Sequence, residues 1–130
     1  MLLARAGTPV CVAEGEIQVA SEEGWQTQEV RDLLTTILEL PSSKEAAAFF
    51  RDLCTLGELH DMAQRWAVVR MLDEGLHYAE ISQRTGASTA TITRIASWLH
   101  HGEGGYRKAL DRRAARTKAG STPYPAGTER

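Results

Sequence analysis

The stretch of this chain with chemistry to offer is TGASTATITR, residues 85–94, where four threonines, a serine and small residues lead to an arginine. No nucleophile elbow, P-loop, HExxH or paired carboxylates accompany it, so the chemistry is recognition and the chain is not expected to be an enzyme. If Ile92, Ile95 and Leu99 turn inward on a helix, then Ser88, Thr89, Ala90, Thr93, Arg94 and Ser97 face outward. These side chains are short and polar or methyl-bearing, so the helix can lie deep in a major groove. Threonine methyls would meet thymine methyls there, and hydroxyls would reach base edges or phosphates. A β-branched series lowers helix propensity by ~0.5 kcal/mol per residue. That local penalty makes sense where groove fit matters more than helicity.

Two short helices joined by a tight, glycine-containing turn make a helix-turn-helix, and six positions agree with that pattern. Ile81 is the apolar residue of the first helix and Ser82 the small residue where the helices cross. Gly86 makes the turn, Ala87 faces inward, and Ile92 and Ile95 anchor the second helix. An ordinary αα-hairpin uses similar punctuation and stays open as the alternative.

Charge supports a polyanion partner. The net charge is only −2, yet residues 1–80 carry 6 Lys/Arg against 14 Asp/Glu, and residues 81–130 carry 9 against 3. Candidates for phosphate contact in the basic half are Arg84, Arg94, Arg107, Lys108, Arg112 and Arg113. For each of them a solvated surface charge or an ion pair within the chain is the competing reading. His100 and His101 close the recognition helix, where a cation is favourable. They lack the further ligands a metal would need, so neither a metal nor another cofactor is expected.

The elements that must position these residues are helical. Thr27 caps a first helix with Leu33, Leu34, Ile37 and Leu38 on one face, and Pro41 stops it. Ser42 with Glu45 fits a capping box opening a second helix, with Ala46, Phe49, Phe50 and Leu53 inward. Thr55 with Glu58 makes another box. The helix after it carries Leu59, Met62, Trp66, Val69 and Leu72 at helical spacing and exits at Gly75. HYAEISQRT and TATITRIASWLHH follow, and a last short helix spans Tyr106 to Arg113. No stretch alternates at period two for long, so the class is all-α. Three regions result: a flexible N-terminal arm over 1–26, a domain over 27–113 and a disordered tail over 114–130. At 130 residues, 42% hydrophobic and 25% charged, the chain suits one globular domain without a membrane span. Cys11 and Cys54 form no CxxC pattern and are expected to stay reduced in a cytoplasmic setting.

GASTATITR, with AQRWAVVRMLDEG upstream and HHGEGGYRKALDR downstream, resembles the tryptophan repressor superfamily, and within it the YerC/YecD-like branch. The resemblance covers about residues 27–113. It implies an intertwined helical homodimer with one helix-turn-helix per subunit. It also implies that Thr89, Ala90 and Thr93 read bases, with Ser88 and Ser97 beside them on the same face. The family's corepressor pocket uses two arginines that correspond to Arg65 and Arg94, the first across a one-residue gap. Two pocket positions depart from the pattern. Ile95 stands where the family has a glycine under the ligand's ring, and Trp98 where it has a serine holding the ligand's amino group. Both substitutions enlarge side chains in a space that must admit a flat aromatic ligand. The pocket is therefore expected to be a remnant filled by its own side chains, with tryptophan not the effector.

The reading that follows is a cytoplasmic, homodimeric helix-turn-helix regulator of transcription. It would bind double-stranded DNA sequence-specifically, as a repressor if it occludes an operator, and be nucleoid-associated when bound. Two alternatives stay open: a DNA-binding accessory or fragment of a transposase-type system, and a helical protein-interaction module.

Overall fold

A computed structural model describes residues 24–120, and every regular element among them is a helix. Most of the expected N-terminal arm, with Cys11, and residues 121–130 of the expected tail lie outside the described residues. The chain divides after Ser42 into two compact units.

The first unit contains α1, Gln28–Leu38. The Thr27 hydroxyl accepts from the Val30 amide at 3.3 Å, the N-cap expected from sequence. The four apolar side chains on its face differ in exposure. Leu33 and Ile37 are half-buried, Leu34 is 45% exposed and Leu38 85% exposed.

The second unit holds α2 (Ser43–Leu53), α3 (Leu56–Asp73), α4 (Tyr78–Thr85), α5 (Thr89–His101) and α6 (Gly105–Lys118). On α2 the Phe49 and Phe50 rings meet edge to face at 5.7 Å. The α3 N-terminus is fixed by a reciprocal capping box. The Thr55 hydroxyl accepts from the Glu58 amide at 3.1 Å, while the Glu58 carboxylate accepts from the Thr55 amide at 2.8 Å. Two of the helix's otherwise orphaned donors are satisfied in this way. The α3 exit is equally specific. The Leu76 amide donates to the Met71 carbonyl and the Gly75 amide to that of Leu72, with Gly75 at φ +85°. This paired motif needs a residue that tolerates the left-handed region, which glycine does without strain.

The core is built where α3 meets α4, α5 and α6. Val68, Val69, Ile81, Ala87, Ile92, Ile95, Leu99 and Leu110 form one buried cluster, with Trp66, Leu72 and Tyr106 packed against it. Full burial of such a side chain contributes about 1.5–3 kcal/mol. The expected α3 stripe is therefore only partly right. Val69 is buried and Trp66 and Leu72 are half-buried, but Met62 is 38% exposed and Val68 is buried instead. The buried pair lies in the C-terminal half of α3, opposite the residues that α4 and α5 turn inward.

The last helix also runs further than expected, to Lys118 and not Arg113. Ala114 and Ala115 are strong helix formers, and Arg116 and Lys118 in the last turn suit the negative end of the helix dipole. Gly120, at φ +80°, follows its C-cap Ala119.

Candidate nucleic-acid interface

Three local features aim α5. Gly86 ends α4 at φ +81°, and its amide donates to the Ser82 carbonyl. The Thr85 hydroxyl donates to the Ile81 carbonyl at 2.7 Å and accepts from the Ala87 amide at 3.1 Å, bracing the turn from its side. The Ser88 hydroxyl then accepts from the Thr91 amide at 3.1 Å and starts α5. A clamp that sequence reasoning missed joins this turn to α3. The Gln64 side-chain amide donates to the Thr85 carbonyl at 2.9 Å.

Helix α5 has two faces that share no residue. Ile92, Ile95, Ala96 and Leu99 are buried, whereas Thr89, Ala90, Thr93, Arg94 and Ser97 are exposed. The side chains of Thr89, Thr93, Arg94 and Ser97 have no hydrogen bond or ion pair among the described residues, so their polar groups are open to a ligand. Ser88 differs from them. Its hydroxyl also donates to the Thr91 hydroxyl at 3.1 Å, so both its donor and one acceptor site serve the cap. Its first role is to begin the helix.

The basic residues fall into two groups. Lys108, Arg112 and Arg113 are exposed on α6 without an ion pair among the described residues, as is Arg94 on α5. Arg84 pairs with Glu80 one turn earlier at 2.7 Å. Arg107 is held by Asp73 at 2.7 Å and lies 3.5 Å from Asp111, tying the end of α3 to the start of α6. The hydrogen bond with Asp73 raises the Arg107 pKa, and the charges of Asp73 and Asp111 add to it. For Arg84 and Arg107 the ion-pair alternative is the geometry observed. The Asp73–Arg107 link spans 34 positions and left no local signal in the sequence.

The four residues of the expected effector remnant do not share one interior. Ile95 is 1% exposed and belongs to the core, whereas Arg65 and Arg94 are exposed on α3 and α5. Trp98 is 48% exposed and lines an open groove with Gly102, Glu103, Gly105 and Tyr106. Its position on α5 explains this placement. At about 100° per residue it sits roughly 110° from the middle of the arc formed by Ile92, Ile95, Ala96 and Leu99.

No described helix is long and apolar enough to cross a membrane, and no cluster of potential metal ligands occurs among the described residues.

Comparison with known proteins places this arrangement. The family model described as Trp repressor protein matches residues 28–114. The chain is 47% identical over 85 residues to the uncharacterized protein YerC of Bacillus subtilis, covering 65% of this chain and 82% of that one. It is 32% identical over 96 residues to a Trp operon repressor homolog of Chlamydia trachomatis, covering 70% of this chain and 93% of the relative. Among solved structures, a TrpR-like protein from Eubacterium eligens superposes with a TM-score of 0.68 at 40% identity, covering 71% of this chain and 95% of the other. With the family match spanning most of the helical region and the α4–α5 pair at its centre, the chain belongs to the Trp repressor protein family.

Proposed function

We propose that this protein is a homodimeric, sequence-specific DNA-binding regulator of transcription that does not respond to tryptophan. The observation that carries the reading is the division of α5. One face is locked into the core by Ile92, Ile95 and Leu99, and the other presents Thr89, Ala90 and Thr93 without partners among the described residues. A helix held rigidly from behind, with short side chains in front, fits a major groove. Membership of a repressor family and relatives named as Trp operon repressor homologs point the same way. In this reading Thr89, Ala90 and Thr93 contact base edges, with Ser97 beside them. Arg94, Lys108, Arg112 and Arg113 are open to phosphates. The protein acts as a non-enzymatic regulator in the cytoplasm, on the nucleoid when bound.

Dimerisation is supported by apolar surface that one chain leaves uncovered. Leu53, Leu56 and Met62 on α2 and α3 are exposed, as are Leu34 and Leu38 on α1. In a two-fold dimer on a palindromic site, the two α5 helices would enter successive major grooves, about 34–36 Å apart. Insensitivity to tryptophan rests on Ile95, a buried core residue at the position where the family's ligand needs a glycine.

The test is selection of binding sites from a random duplex pool, followed by anisotropy titration at several salt concentrations. A palindromic consensus bound by a dimer, with a steep linear dependence of log K on log salt, is expected. Absence of a shift at low salt would sink the DNA reading. Calorimetric binding of tryptophan in the micromolar range would sink the ligand part alone.

A further inference from the structure

Arg70 carries a charge that nothing among the described residues satisfies. It stands in the last turn of α3, half-buried, and its Nε is shielded from water with no acceptor. No other hydrogen bond or ion pair among those residues holds its guanidinium. A charged group withdrawn from water without a partner loses hydration and recovers nothing, so the arrangement is incomplete in one chain. Beside it a groove of about 270 Å³ runs between the end of α3 and α6, walled by Leu110, Ala114 and Thr117. That is below the ~300–1,000 Å³ common for small-molecule sites and suits a side chain of a docked surface.

The charges lining the groove do not cancel. Arg113 stands with Arg70, and Asp73 and Glu74 oppose them. Asp73 is already taken by Arg107 at 2.7 Å. The carbonyl pole of α3 is closed by the Glu74, Gly75 and Leu76 amides, which donate to the Arg70, Leu72 and Met71 carbonyls. That of α6 is offset by Arg116 and Lys118 in its last turn. Two arginines therefore face Glu74 alone, and the groove has room for one more carboxylate.

Helix α1 has the complementary character. Residues 1–42 hold 7 Asp/Glu against 2 Lys/Arg, whereas α6 holds 1 against 6. Leu34 and Leu38 leave its apolar stripe exposed. Glu29 lies at the edge of that stripe, about 40° from Leu33 at 100° per residue. It is exposed and has no partner among the described residues. The positive pole beside it is partly closed by the Thr27 cap. The other charges of α1 fit less well. Arg31 donates to the Gln26 carbonyl and the Gln28 side chain, and Asp32 accepts from Gln28 at 2.9 Å. Asp32 and the C-cap Glu39 both fall on the side opposite the stripe.

We propose that Arg70 takes the Glu29 carboxylate of a second copy of the chain, once on each side of the two-fold axis. The inference rests on the homodimer reading above and names the ionic contact that completes that interface. A side-on carboxylate bridges Nε and a terminal nitrogen of the guanidinium, and the long arginine stem lets the fork turn to meet it.

The test is sedimentation equilibrium of the full-length protein at several salt concentrations. Arg70→Glu and Glu29→Arg should each weaken self-association by about tenfold or more. An equimolar mixture of the two should recover wild-type affinity, because both pairs are then of opposite charge. Arg70→Met keeps the half-buried stem, so it carries the test if circular dichroism shows that Arg70→Glu does not fold. It should weaken association and flatten its salt dependence, and adding Glu29→Gln should weaken it no further. Glu74→Gln should leave association unchanged. A charge-reversed mixture no tighter than its components, or additive losses for Arg70→Met and Glu29→Gln, would overturn the proposal while the wild type stays dimeric. So would a loss in Glu74→Gln equal to that in Arg70→Met, since Glu74 would then satisfy the guanidinium within the chain. A monomeric wild type would sink the homodimer reading together with this contact.

Discussion

The side chain of Gln64 on α3 reaches the backbone of Thr85 at the end of α4, its amide nitrogen 2.9 Å from the Thr85 carbonyl oxygen. The bond is part-buried and sits beside Gly86, so it fixes the turn that aims α5. Gln64→Ala should lower stability by about 0.5–1.5 kcal/mol, as expected when one intramolecular hydrogen bond is removed. Hydrogen exchange should show the larger local effect, with faster exchange of the Gly86 and Ala87 amides than global unfolding accounts for. Unchanged protection of those amides would mean that the clamp does not hold the turn.

Three glycines around the α5–α6 link should respond differently to alanine. A Cβ on Gly102 would lie 2.5 Å from the Trp98 carbonyl oxygen, so the backbone must move. A loss of about 1–3 kcal/mol is expected, the range for overpacking. Gly104 has open space but φ +87°, and alanine there should cost about 1–2 kcal/mol through backbone strain alone. Gly105 has neither obstacle, so Gly105→Ala should be neutral or stabilising by roughly 0.4–1 kcal/mol. Urea denaturation of the three variants checks the pattern, which fails if Gly105→Ala is as damaging as Gly102→Ala.

The α3 capping box should make stability depend on acid. The Thr55 backbone amide, and then its hydroxyl, hold the Glu58 carboxyl below the ordinary carboxylate range. Folding thus favours the ionised form. The contribution is fully present above the ordinary carboxylate value and is lost as pH falls through the depressed one. Glu58→Gln should lower the melting temperature at neutral pH, and the gap to wild type should close in acid. Thr55→Ala removes the cap itself, at about 0.5–2 kcal/mol. A Glu58→Gln difference of constant size across this pH range would contradict the ionic part of the box.

Three substitutions separate base reading, phosphate binding and scaffold. Thr93→Ala should relax preference at one base position, by up to about 1–3 kcal/mol. Arg94→Ala should weaken all duplexes alike and reduce the log–log salt slope by about 0.9 for every phosphate that the arginine neutralises in the wild-type complex. Arg107→Ala should leave the salt slope unchanged and lower the melting temperature, because its charge is already held by Asp73. Anisotropy titrations against the selected site and single-base variants distinguish the three. A salt slope reduced by Arg107→Ala would reassign that residue to the DNA.

Much of the second unit is legible in the sequence because its signals are local. Gly86, the Ser88 cap, the Thr55–Glu58 box and the inward Ile81, Ile92 and Ile95 all follow from residue type at short spacing. The pairings of Gln64 with Thr85 and of Asp73 with Arg107 are not legible, since they join positions on different helices. The extension of α6 is readable in principle. Ala114, Ala115 and the next breaker at Gly120 predict it, but the density of charges there reads equally well as a solvated tail. The exposure of Trp98 is legible from the helical angle alone, which puts it outside the arc of Ile92, Ile95, Ala96 and Leu99.

The complete separation of the two α5 faces has an evolutionary consequence. Mutations at Thr89, Ala90, Thr93 and Ser97 leave the buried packing of the helix in place, and surface changes of this kind rarely shift stability by more than about 0.5 kcal/mol. A duplicated copy of this gene can therefore change its target through a series of single substitutions, each intermediate remaining folded. The cap and turn that precede the helix work as an interchangeable mount, and new regulators can diverge from it without rebuilding their cores.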